Sequence, residues 1–325
     1  MKISHIFFAI LLVSVLFMSA AFTQVDEAEL LITLNLSEPV SQIIWNDSGD
    51  VVTVVTKDRV DHIYVADPEK SISDAPTAKS WEVTTVSETG LVASLSPDWT
   101  EIYLYDPSGS KELKSIDPGF KMLSVSVSKD GSMVLADSAE QIRTVIFDVE
   151  DGSALHDLKG FETAAPVYDS GFSPDGESIL WHSRGTFALQ QIEDGSFGKS
   201  ISLWDFASAY ALSPDSSVLA VGIINNDYEN GTVIFFDPKS GNELGRTILG
   251  EKSPFDVSFN EDGTVLWAAD QNTAYQIDPK TFELKAQITI AEPDSDSDRI
   301  RKISSSPDGT SAAVLKNNGD LLIVK

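Results

Sequence analysis

Short apolar runs recur along this chain, each broken by a compact polar turn and then resumed. The stretches IIWNDSGDVV, TTVSETGLVA, VSVSKDGSMV, SGFSPDGESI, YALSPDSSVL, VSFNEDGTVL and SSSPDGTSAA share this form. Each reads as a β-prone run, a turn such as Ser-Pro-Asp-Gly, and a second apolar strand. Pro presets φ in such a turn, Asp caps the backbone, and Gly supplies a positive φ. The last turn residues are Gly49, Gly90, Gly131, Gly176, Ser216, Gly263 and Gly309, spaced by 41, 41, 45, 40, 47 and 46 residues. That spacing is the period of a four-stranded propeller blade, with the turn joining its first two strands as a hairpin. No long amphipathic helical pattern interrupts the series.

Two further landmarks keep the same period. An apolar run ending in Asp follows each of the first six turns, at Asp67, Asp106, Asp148, Asp194, Asp237 and Asp278. It marks the third strand. Glu-Leu then opens the outermost strand at Glu112-Leu113, Glu243-Leu244 and Glu283-Leu284. The last run, GDLLIVK, stops one strand short. The segment AELLITLNL, with Glu29-Leu30, lies at the right distance before Gly49 to supply it. The expectation is all-β: seven four-stranded antiparallel blades, the ring closed by an N-terminal strand joining the C-terminal blade. Closure also removes the exposed edges that template aggregation.

These residues resemble the WD-repeat β-propellers, in a divergent, exported form, over roughly residues 28 to 325. The closing aspartates stand where the Trp-Asp dipeptide ends the third strand in that family. The Gly-His of standard WD repeats is missing. Ala66, Tyr105, Phe147, Glu193, Phe236 and Ile277 occupy the Trp position. The family's buried His–Ser–Trp–Asp network is therefore not expected here.

The N-terminus adds localisation. MKISHIFFAILLVSVLFMSAAFTQ has one Lys before an apolar run, with small residues Ser19 and Ala21 ahead of a cut. Residues 1–21 read as a secretory signal peptide, with an uncleaved anchor as the alternative. Residues 28–325 form the propeller, extracytoplasmic, with no span after cleavage. The chain has no cysteine, which excludes a disulfide framework and an N-terminal lipid on cysteine. Its net charge of −27 repels phosphate backbones and argues against nucleic-acid binding.

Candidate chemistry is sparse. His62, His156 and His182 are far apart in sequence, too few for an expected zinc site. GSFGKS lacks the first Gly of a phosphate-binding loop and lies in a hairpin. EPDSDSDR starts like a calcium loop at Asp294, Asp296 and Asp298. Arg299 then stands where Gly is required and Ser305 where Glu belongs, so it is not an EF-hand. Looser calcium binding there remains an alternative, and no cofactor is otherwise expected. Trp81, Trp99 and Trp204 are candidates to stack on sugar rings, with blade packing the plainer assignment.

The loop carrying Asp294, Asp296 and Asp298 joins blade six to blade seven. Loops between second and third strands emerge at the same end. They include Arg184 and the stretch Asn226, Asp227, Tyr228 and Glu229. These eight residues are the expected partner-binding surface of a monomeric, non-enzymatic protein-interaction module. A propeller-type hydrolase or lactonase, and a calcium- or carbohydrate-dependent binding module, are the competing readings.

Overall fold

The computed structural model describes residues 23–24, 28–34, 40–56, 59–74, 84–107, 111–160, 169–183, 185–203, 207–224, 230–250, 252–290 and 299–325. They form seven antiparallel four-stranded sheets arranged as the blades of a β-propeller. The innermost strands, in order, are Val40–Trp45, Thr84–Val86, Met122–Val127, Asp169–Phe172, Ala207–Leu212, Asp256–Phe259 and Ile300–Ser305. Among the described residues the one helical element is a single turn, Pro68–Lys70. None of their helices is long and apolar enough to cross a membrane.

The core is partitioned as a ring requires. Seven apolar clusters occupy the seven boundaries between neighbouring blades. Trp45, Val52 and Val54 of blade 1 pack on Ala313, Leu315 and Leu321 of blade 7, so the last boundary is filled with apolar side chains like the rest. The second strands are buried on both faces, which is why their sequences run apolar without alternation. Each fully buried aliphatic side chain contributes about 1.5–3 kcal/mol against exposure.

The first-to-second-strand turns repeat almost atom for atom. In all seven, the N–H of the Gly or Ser at the last turn position donates three residues back, for example Gly131 to Ser128 at 2.9 Å and Ser216 to Ser213 at 2.7 Å. The Asp holds the Ser hydroxyl and the following N–H, as Asp308 does with Ser306 (2.7 Å) and Thr310 (3.0 Å). Those contacts hold the carboxyls of Asp130, Asp215 and Asp308 below the usual range, the serine hydroxyl being the largest cause in each. Neighbouring turns also touch, with Glu261 N–H on the Pro307 carbonyl at 3.2 Å.

Closure is as the repeat predicts. The strand Ala28–Thr33 pairs antiparallel with Asp320–Val324, Glu29 opposite Ile323 and Leu30 opposite Leu322. The strand ends at Thr33, short of the AELLITLNL segment, and residues 35–39 lie outside the described set. Leu34 N–H still reaches the Gly319 carbonyl at 2.8 Å. Gly319 has φ +94°, and a Cβ there would lie 2.0 Å from the Leu34 oxygen. Only glycine fits.

Three features depart from the sequence expectation. Thr23–Gln24 adds a fifth, parallel strand to the outer edge of blade 6, beside Ala286 and Gln287. Two residues carry no periodicity from which to read this. Asp67 and Asp194 sit three residues beyond their third strands, whereas Asp148 and Asp278 end theirs. In blade 2 a second Ser-Pro-Asp turn, Ser96–Thr100, joins strands two and three, and Trp99 takes the glycine position with φ +66°.

Candidate functional site

Inside the ring, the innermost strands leave one backbone edge facing the central channel. Side chains from the adjacent blade cap part of it. Gln42 Oε1 accepts Val86 N–H at 3.2 Å, Asp256 Oδ2 accepts Ile303 N–H at 2.8 Å, and Ser258 Oγ accepts Ser305 N–H at 3.0 Å. These bonds tie blade 1 to blade 2 and blade 6 to blade 7 where no ladder runs. The channel opens into recesses of roughly 310 and 340 Å³, the second lined by Thr85, Ser126, Gly171 and Tyr210. Enclosure pushes the Asp256 carboxyl up, with the Lys302 ammonium working against that rise.

A second carboxylate is tied more tightly. Asp137, at the end of blade 3's second strand, is 3 % exposed. It accepts hydrogen bonds from Ser124 and Thr144 of its own blade, and from Ser170 of blade 4 at 2.7 Å. Burial raises its pKa, and the three hydroxyls oppose the rise. Asp270 does related work in blade 6, taking the Tyr275 hydroxyl at 2.8 Å. Each stands at the end of a second strand, in LADS and WAAD. That recurrence is legible in the sequence as an Asp closing an apolar run.

The histidines are dispersed. His62 is bonded between Thr53 (3.0 Å) and the Pro107 carbonyl (3.3 Å), linking blades 1 and 2. His156 lies on the outer strand of blade 3. His182 stacks on Phe187 at 4.7 Å and tilts against Tyr210 of blade 5 at 5.0 Å. Its Nε2 is buried without a hydrogen-bond partner, and burial lowers its pKa. Among the described residues, no three His, Asp or Glu converge as a metal-binding group.

Arg184, Asn226, Asp227, Tyr228, Glu229, Asp294, Asp296 and Asp298 all lie outside the described residues, as do Trp81 and Trp204. The strands that flank them are described. Leu219–Ile224 and Gly231–Phe236 flank one connection, Glu283–Thr289 and Ile300–Ser305 the other. By strand direction both connections belong to one end of the ring.

The two ends differ. One carries the seven first-to-second-strand turns, each five or six residues long, and the third-to-fourth-strand turns, such as 65–71 and 192–200. The other carries the connections between blades, from 203–206 to 290–299. No protein-family model matches the chain, and no curated protein matches it in sequence. What is established is the architecture, a seven-bladed β-propeller closed by its own N-terminal strand.

Proposed function

We propose that the protein is an exported, non-enzymatic propeller that binds another protein at the cell envelope, and that it is a distant relative of the WD-repeat propellers. The observation that supports this best is the contrast between the ends of the ring. At one end the seven first-to-second-strand turns share one form, each closed by the same backbone hydrogen bond, beside third-to-fourth-strand turns such as 192–200. The other bears connections of unequal length on a frame packed at every blade boundary. Rigid scaffolds that carry variable loops at one end use them for recognition. Fold alone assigns no partner.

The binding surface in this reading includes Asn226, Asp227, Tyr228, Glu229, Asp294, Asp296, Asp298 and Arg184. Export rests on the apolar run Ile6 to Phe22 and the small residues before the cut. The test is affinity capture from an envelope extract. The bait is compared with a variant carrying Asn, Gln or Ser at Asp227, Glu229, Asp294, Asp296 and Asp298. A partner retained by the wild type and lost by the variant supports the reading. A folded bait that retains nothing contradicts it.

A second reading, a small-molecule or hydrolytic site in the channel, draws on Asp256 beside Lys302. Conversion of a substrate that stops in Asp256→Asn would favour it.

A further inference from the structure

Three non-glycine residues among those described adopt a positive φ: Trp99, Ser216 and Phe282. Two have a plain packing role. Ser216 replaces glycine in a repeat turn and is 2 % exposed. Phe282 fills the space beside Gly245, lies tilted against Phe235 at 5.1 Å, and accepts the Thr247 hydroxyl on its carbonyl at 2.7 Å. Trp99 differs. It is only half-buried, although a large side chain in this region is a genuine conformational outlier.

The turn beneath it is rigid. Ser96 Oγ donates to Asp98 at 2.7 Å and accepts the N–H groups of Thr100 and Glu101 at 3.0 and 2.9 Å. Trp99 donates its N–H to the Ser96 carbonyl at 2.9 Å. Its own carbonyl accepts Met122 N–H at 2.8 Å, fixing the turn to the start of blade 3. The next residue, Leu123, is the bulged position of that strand and is 36 % exposed. Bulges re-aim side chains in this way. Phe120, two residues before Met122, packs on the apolar cluster between blades 2 and 3, with the Arg143 guanidinium 5.2 Å over its ring. All of this lies at the end of the ring that carries the unequal connections.

The rim carries more acid than base: Asp98, Asp117 and Glu140 are exposed there with Lys121, and Ala139 N–H bonds the Lys121 carbonyl at 2.8 Å to hold these segments together. The hydroxyl of Ser96, then that of Thr100, keeps the Asp98 carboxyl below its usual range, so it stays charged. A net charge of −27 disfavours a second copy of this chain as the occupant.

Resting on the protein-binding reading, we propose that Trp99 and Leu123 are the anchor for a protein segment presenting apolar side chains flanked by Lys or Arg. The indole and the bulged leucine cover the apolar residues while the carboxylates meet the cations.

The test uses the full chain labelled with 5-fluorotryptophan, its Trp99 signal assigned by loss in Trp99→Phe. Three synthetic peptides are titrated: Leu and Phe flanked by Lys, the same core flanked by Glu, and Lys around Ser. The account expects the first alone to move the Trp99 signal, with affinity falling several-fold as salt is raised. Trp99→Gly, which suits the positive φ, should keep a cooperative melt and lose the response. Leu123→Ser should weaken it. An unmoved signal, an equal response to the acidic peptide, or movement by neutral oligosaccharides or by self-dilution overturns the proposal. Undiminished envelope-partner capture by Trp99→Gly would also overturn it while leaving the protein-binding reading standing. Capture of nothing by the wild type overturns that reading instead, on a result separate from the peptide titration.

Discussion

Leu30 lies directly opposite Leu322, so strands from the two ends of the chain complete one blade. This pairing is the long-range contact on which the ring depends, since it finishes blade 7 and leaves no gap beside blade 1. Removing Ala28 to Thr33 should abolish the cooperative thermal transition and give aggregates by size exclusion. A deletion variant that melted like the parent would show that the ring does not need this strand.

Gly319 tests the same joint by a single atom. Gly319→Ala places a methyl against the Leu34 carbonyl in a backbone region that disfavours it. A loss of about 2 kcal/mol or more is expected in urea unfolding. Gly119→Ala is the control for backbone strain alone, because its φ is also positive at +75° and nothing lies within 4 Å of its Cβ position.

Asp137 should be costly to delete. Asp137→Ala leaves the hydroxyls of Ser124, Thr144 and Ser170 without their shared acceptor, for an expected loss of about 2–4 kcal/mol. Burial raises its folded pKa above the unfolded value. Its contribution is therefore fully present below the unfolded pKa and declines as pH rises through the folded one. Relative to Asp137→Asn, the wild type should gain stability as pH falls through the raised folded pKa toward the unfolded carboxyl value of about 4. The comparison of urea midpoints at several pH values checks the sign.

His182 should act the other way. Burial lowers its pKa, so the unfolded chain binds the proton first. Stability is complete above the unfolded value and is lost as pH falls from there through the folded pKa. His182→Leu should flatten that acid-side decline. Above about pH 7 it should cost little, because Nε2 has no partner to lose. Equal pH dependence in both proteins would mean that His182 does not titrate in this way.

Much of this architecture was readable because blades repeat. Gly49 through Gly309 fall at one turn position, and the same hydrogen bond forms at each. Glu243-Leu244 and Glu283-Leu284 do open outermost strands, and Glu29-Leu30 falls in the closing one. What escaped was everything that breaks the repeat. Thr23–Gln24 is too short to show a period, and the register of a parallel addition leaves no local pattern. Asp137 binds residues 13, 7 and 33 positions away, so its partners are set by blade packing. Trp99 reads as an ordinary aromatic until its φ is known. The candidate binding residues from Arg184 to Asp298 lie outside the described residues, so their placement rests on the sequence and on the strands that flank them.

Site-specific photocrosslinking in the host cell tests the central claim most directly. A photoreactive residue is placed at Asp227 or Asp296 at one end of the ring, and at Asp175 or Asp308 in the repeat turns of the other. The account predicts one discrete protein adduct from the first pair and none from the second. Adducts from the turn end alone, or none from either end in a folded and exported protein, would contradict it.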